Sequence, residues 1–75
     1  MNIVVNSLKF LLGCGMDVNF KRLSICRIER GLADKRKVQY QVESNYKAMV
    51  FSHLYDDMDI AIDKFMLVFN MMNQE

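Results

Sequence analysis

Residues 38–43, Val-Gln-Tyr-Gln-Val-Glu, alternate apolar and polar side chains without a break. That two-residue period is the spacing of a β-strand with one dry face and one wet face. Such a strand cannot stand alone: its row of Val38, Tyr40 and Val42 needs strands beside it and a second layer above it. The rest of the chain must supply both.

Two segments carry helical spacing. In residues 2–13, Val4, Val5, Leu8, Leu11 and Leu12 share one face, and Asn2, Asn6, Lys9 and Gly13 form the opposite stripe. Gly13 and Gly15 then offer a stop, since glycine accepts the left-handed conformation at a helix end. The β-branched pair Val4-Val5 leaves a short strand as the alternative, but helix is favoured. The second segment runs from about residue 58 to 72. Its core stripe is Met58, Ala61, Ile62, Phe65, Val68, Phe69 and Met72, with Ile60, Leu67 and Met71 beside it. Asp56 and Asp57 precede it, where acids cap a helix and suit its positive end.

Between the helices, residues 20–30 are ambiguous. Leu23 and Ile25 alternate, but Ile28 falls on the other face and demands a bulge or an apolar second face. A helical reading would group Ile25, Ile28 and Leu32. Strand is preferred, because Gly31-Leu32-Ala33-Asp34-Lys35-Arg36-Lys37 reads as a hairpin loop leading into 38–43. Ser44-Asn45 is a turn signal. Residues 46–54 then form a third strand, with Ala48, Val50 and Leu54 on one face and Met49, Phe51 and His53 on the other. The fold class predicted is α+β: a three-stranded antiparallel meander flanked by an N-terminal and a C-terminal helix, in the order α-β-β-β-α, as one domain over residues 1–75.

The 75 residues have room for a single core, and a core of that size supplies only about 3–5 kcal/mol. The apolar content is 52%, above the roughly 45–50% of ordinary domains, so some of it must lie on a surface or in an interface. A net charge of +1 fits neither an acidic DNA mimic nor a general nucleic-acid binder. Cys14 and Cys26 are the two cysteines, expected as free, buried thiols of a cytoplasmic protein. Leu11-Leu12-Gly13-Cys14 looks like a lipoprotein cleavage box, yet no basic residue precedes Ile3, and Lys9 interrupts the apolar stretch. No apolar run approaches the ~20 residues of a membrane-spanning helix.

Candidate sites are few. His53 is the only histidine, and no Cys-x-x-Cys or His-x-x-x-His spacing accompanies it, so neither a zinc site nor a Cys–His nucleophile is indicated. Paired with a nearby arginine, His53 is the one conceivable ribonuclease couple. Asp56, Asp57, Asp59 and Asp63 lack the alternating ligands and central glycine of a calcium loop, and capping explains the first three. No catalytic residue, metal or cofactor is assigned. The strongest electrostatic feature is a basic cluster: Lys35, Arg36 and Lys37 in the loop, with Lys21, Arg22, Arg27 and Arg30 on the strand before it. On one hairpin they would make a positive face for a partner; the competing reading is a solvated loop that protects a sheet edge. Met66, Leu67 and Met71 cannot all face the sheet, and methionine recurs at adaptable binding surfaces.

A short chain without proline, a meander between two helices, and the run Tyr55-Asp56-Asp57-Met58-Asp59-Ile60-Ala61-Ile62-Asp63-Lys64-Phe65 entering the last helix resemble small phage-encoded accessory proteins, anti-CRISPR and other anti-defence proteins among them. The resemblance is one of topology and transfers no functional residue. It implies a stoichiometric inhibitor of a host protein or complex in the host cytoplasm. The double-stranded-RNA-binding domain shares the αβββα order, but its second helix opens on basic residues, and here that turn is acidic. Two functions follow. The first is a non-enzymatic protein-binding module using Arg22, Arg27, Arg30, Lys35, Arg36 and Lys37 together with Met66, Leu67 and Met71, the last three also suiting a homodimer. The second is a nucleic-acid binder with the same cations on phosphates and Tyr40 or Tyr46 stacking on bases.

Overall fold

A computed structural model describes residues 3–74; Asn2, assigned above to the polar stripe of the first helix, lies outside them. The chain is α+β: helix α1 (Ile3–Gly13), strands β1 (Val18–Phe20), β2 (Leu23–Arg30), β3 (Lys37–Tyr46) and β4 (Met49–Tyr55), and helix α2 (Met58–Asn73). The sheet is an antiparallel meander in the order β1-β2-β3-β4.

It therefore has four strands where three were predicted. The extra one, β1, is only Val18-Asn19-Phe20, too short to show a period, and it folds back on β2 with Val18 opposite Ile25 and Phe20 opposite Leu23. Phe20, read as the start of the first of the three predicted strands, belongs to this one. β2 pairs with β3 in unbroken register from Leu23–Ser44 to Arg30–Lys37, so Ile28 sits on the second face and no bulge is needed. The third predicted boundary also moves. Ser44 and Asn45 stay in β3, since Ser44 is buried opposite Leu23 and Phe51. The chain reverses instead at Lys47-Ala48, with Lys47 at φ 49°. Packing across three strands outweighs the local turn preference of a Ser-Asn pair. Ala48, expected on the face of Val50 and Leu54, is in that turn.

Directly opposed residues share a face. One face of the sheet is thus the rows Val18-Ile25-Val42-His53 and Phe20-Leu23-Ser44-Phe51. Both helices lie on it. The buried core is Leu8 and Leu12 of α1, Leu23 and Ile25 of β2, Val42 of β3, and Ala61, Ile62, Phe65 and Val68 of α2. Each large side chain buried there is worth about 1.5–3 kcal/mol. α2 lies across β2 and β3 and reaches β4, whereas α1 lies against α2, β1 and β2.

The helix ends are set by local chemistry. In α1 the N–H of Met16 donates to the Leu11 carbonyl and that of Gly15 to the Leu12 carbonyl, each at 3.0 Å, with Gly15 at φ 79°. This pair of bonds satisfies carbonyls the helix leaves open. At the start of α2 the Asp57 carboxylate accepts the N–H of Asp59 at 2.7 Å and of Ile60 at 3.3 Å. A salt bridge of 3.3 Å from Lys9 to Asp59 ties the two helices together at the surface.

Two outcomes are expected in urea denaturation. Gly31 has φ 101°, and a Cβ there would run into the backbone carbonyl of Lys35, whereas Gly15 opens on free space. Gly15→Ala should cost about 1–2 kcal/mol for the left-handed conformation alone, and Gly31→Ala at least about 1 kcal/mol more; equal costs would contradict the close approach at the hairpin. The Ser44 hydroxyl is buried and, among the described residues, unpartnered. Ser44→Ala should leave stability unchanged or raise it by about 1 kcal/mol.

Candidate functional site

The β2–β3 connection begins at Gly31, passes through a single 3-10 turn, Ala33–Lys35, and enters β3 at Lys37. The Lys35 N–H donates to the Leu32 carbonyl at 2.8 Å, which closes the turn. Gly31 lets the backbone fold against Lys35 more closely than any side chain would permit. The turn is tight, and Leu32 stands out from it, 83% exposed. Around it lie Arg30, Lys35, Arg36 and Lys37, with Asp34 the only acid in residues 30–37.

The basic residues singled out from sequence do not form one face. Lys21 and Arg22 make the β1–β2 turn, and Arg30 to Lys37 lie at the other end of β2. Eight residues at about 3.3 Å each put roughly 26 Å between the two groups. Arg22 therefore joins Lys21, Tyr46, Lys47 and Met72 around a shallow groove at the far end. There the Lys21 ammonium lies 5.4 Å from the Phe20 ring centre and that of Lys47 5.4 Å from the Tyr46 ring centre, within range of cation–π attraction.

At the hairpin end several cations have acid partners. Arg27 approaches Glu29 at 2.9 Å and Arg36 approaches the same carboxylate at 3.4 Å. Lys37 is 3.8 Å from Asp56, which also accepts a 2.9 Å hydrogen bond from the Gln39 amide. Exposed pairs of this kind are worth about 0–1 kcal/mol and open readily for a better partner. Arg27 is opposite Tyr40 on the helix side of the sheet, half-buried, and so is withdrawn from the tip. Arg30 and Lys35 have no acidic partner among the described residues. Leu32, placed by the sequence in the hairpin loop, is not among the binding residues named from it, although an isolated large apolar residue in a turn of charges is a usable signal.

The remaining candidates are scattered. Met66 is half-buried and packs on the core, whereas Leu67 is 50% exposed and Met71 is also exposed. Tyr40 and Tyr46 both pack against the core from the helix side of the sheet, at different places along β3. His53 lies on β4, its ring 5.5 Å from Phe51 and 6.3 Å from Tyr55. The acids are engaged at the surface: Asp56 with Gln39 and Lys37, Asp57 as a cap, Asp59 with Lys9. Among the described residues no three His, Cys, Asp or Glu side chains gather as a metal site, and no helix is long and apolar enough to cross a membrane.

Set beside known families, curated proteins and solved structures, the chain matches none.

The two thiols are free, but they are not alike. Cys14 is exposed, contrary to the expectation of burial, because it follows the last turn of α1 on its open side; Cys26 is half-buried on β2. Burial pushes the Cys26 thiol pKa up, the charges of Asp17 and Glu43 add to this, and a backbone hydrogen bond at Gln41 opposes it. The thiolate is the reactive form, so a raised pKa means less thiolate at any given pH. Iodoacetamide at pH 8 is expected to modify Cys14 first, and the Cys26 rate should keep climbing at higher pH. Equal rates by mass spectrometry would contradict this difference in environment.

Proposed function

We propose that this chain is a non-catalytic protein-binding module, an inhibitor of the kind carried by phages and mobile elements, that acts by seating the β2–β3 hairpin on a host protein. The observation that carries the reading is Leu32, 83% exposed on a turn closed by the hydrogen bond from the Lys35 N–H to the Leu32 carbonyl, at a hairpin end whose other residues include Arg30, Lys35, Arg36 and Lys37. An apolar anchor with a charged rim is the anatomy of an energetic centre in protein interfaces. Left in water, Leu32 forgoes roughly 1.5–3 kcal/mol of burial, and a preorganised turn lowers the entropy lost on docking. Arg30, Lys35, Arg36 and Lys37 suit a pocket with an acidic rim, where they steer approach and set specificity.

A nucleic-acid reading finds less support. Phosphates offer nothing to Leu32, Lys21 and Arg22 lie roughly 26 Å away at the other end of β2, and neither Tyr40 nor Tyr46 is at the tip.

A photo-crosslinking residue at position 32 tests the proposal, with the captured host protein identified and its affinity then measured. Leu32→Ser is expected to cost about 2 kcal/mol of binding, roughly thirtyfold. Changing Lys35, Arg36 and Lys37 to Ser should slow association and flatten its salt dependence, with thermal stability nearly unchanged. Changing Lys21 and Arg22 to Ser should do neither. Oligonucleotide binding that both triplet and pair weaken, and that Leu32→Ser leaves alone, would replace this reading with the nucleic-acid one.

A further inference from the structure

β4 is the long free edge of the sheet. The opposite edge, β1, has three residues and lies against α1, whereas β4 runs over seven, Met-Val-Phe-Ser-His-Leu-Tyr, without Lys, Arg, Asp, Glu or Pro. Protective charges and prolines are the usual means by which an edge strand avoids pairing with another chain. None is present along this strand.

The direction of its free backbone groups follows from the turn. The two-residue Lys47-Ala48 turn closes on the pair Tyr46–Met49, so Met49 bonds to β3, and so do Phe51, His53 and Tyr55 by alternation. The N–H and C=O groups of Val50, Ser52 and Leu54 point outward. Beside them on the helix side lies an apolar groove lined by Met49, Phe51, His53, Tyr55, Lys64 and Leu67. Exposed Ile60, Leu67 and Met71 continue it along α2, and Val50, 65% exposed, and Leu54 lie on the open face.

We infer that a second copy of this chain covers this edge, β4 pairing antiparallel with its mate about a two-fold axis at Ser52 to give one eight-stranded sheet. Of the two-fold registers, that one alone pairs all seven residues of the strand. Val50 meets the mate's Leu54 and Ser52 meets Ser52 on the open face; Met49 meets Tyr55 and Phe51 meets His53 on the helix side. Val50, Ser52 and Leu54, the three residues with free backbone groups, are also the ones this axis brings into hydrogen-bonded pairs. No like charges oppose each other along the strands. With α2 centred over β3, the two α2 helices stand roughly 14 Å apart, three strand spacings. That is wider than the usual 8–10 Å of touching helices, and the side chains lining the groove from both subunits fill the difference. Lys64, the one charged residue there, has a stem long enough to lie on this surface with its ammonium in water.

The strand is about 23 Å long, and with α2 above it the edge offers on the order of 500 Å² per subunit, less than the ~800 Å² of a standard interface. The dimer is therefore of the weak class. Antiparallel pairing reverses the second subunit, so its hairpin tip points the opposite way along the sheet. The inference does not depend on the hairpin proposal, and each can fail without the other.

Sedimentation equilibrium from 1 to 500 µM tests it. Wild type is expected to pass from monomer to dimer across the series. Ser52→Lys, which sets two ammonium groups against each other at the axis, and Ser52→Pro, which removes an outward N–H and leaves the β3 ladder intact, should each weaken dimerisation at least tenfold with far-ultraviolet circular dichroism unchanged. A wild type monomeric throughout overturns the inference. So does a dimer that survives both substitutions, which would place the contact on α1 or on α2 alone; should Ser52→Pro unfold, Ser52→Lys decides.

Discussion

The seat of α2 on the sheet governs everything else in this molecule. Ala61, Ile62, Phe65 and Val68 fill the space above Leu23, Ile25 and Val42, and the aromatic pairs Phe65–Phe69 and Phe20–Phe69, 6.0 and 4.9 Å between ring centres, carry the contact on to β1. Aromatic rings in tilted and offset arrangements add about 0.5–1.5 kcal/mol beyond area burial. In a chain this small few other large contacts are available. A loss here would release the sheet face and both helices together.

That seat also determines what remains uncovered. Two helices cannot shield all four strands equally, and α1 is drawn toward β1 and β2. β4 is left with a helix on one rim and open space along its edge. The exposed stripe of α2 borders the edge strand, with Leu67 lining the same groove as Phe51 and His53. Part of the exposed apolar surface, Val50, Leu54, Ile60, Leu67 and Met71, lies along this edge, where the outward backbone groups of β4 have no neighbouring strand.

Charge follows the turns. In a meander, successive connections fall at opposite ends, so the β1–β2 and β3–β4 turns share one end and the β2–β3 hairpin occupies the other. Lys21 at φ 57° and Lys47 at φ 49° hold first positions of two-residue turns, places where glycine or asparagine is more usual. The basic stretch that looks continuous in sequence is divided by the length of β2. Only the hairpin end combines its cations with an apolar tip.

The sequence by itself determined the periodic parts: the alternation of 38–43, the amphipathic stripes at both ends, the aspartate cap before α2, and the Gly31–Lys37 loop. Each depends on neighbours along the chain, and 3.6- or 2-residue spacing reads them directly. Tertiary structure alone decided β1, because three residues hold no period and are strand only through pairing with β2. It decided the turn at Lys47-Ala48 over Ser44-Asn45, because burial of Ser44 between Leu23 and Phe51 is a contact among residues far apart in sequence. It decided, too, that Met66 turns inward while Leu67 and Met71 stay exposed, and that Arg22 and Lys35 lie at opposite ends. Side-chain neighbours across a sheet are set by register, and register is a property of the assembled strands, invisible in any one of them.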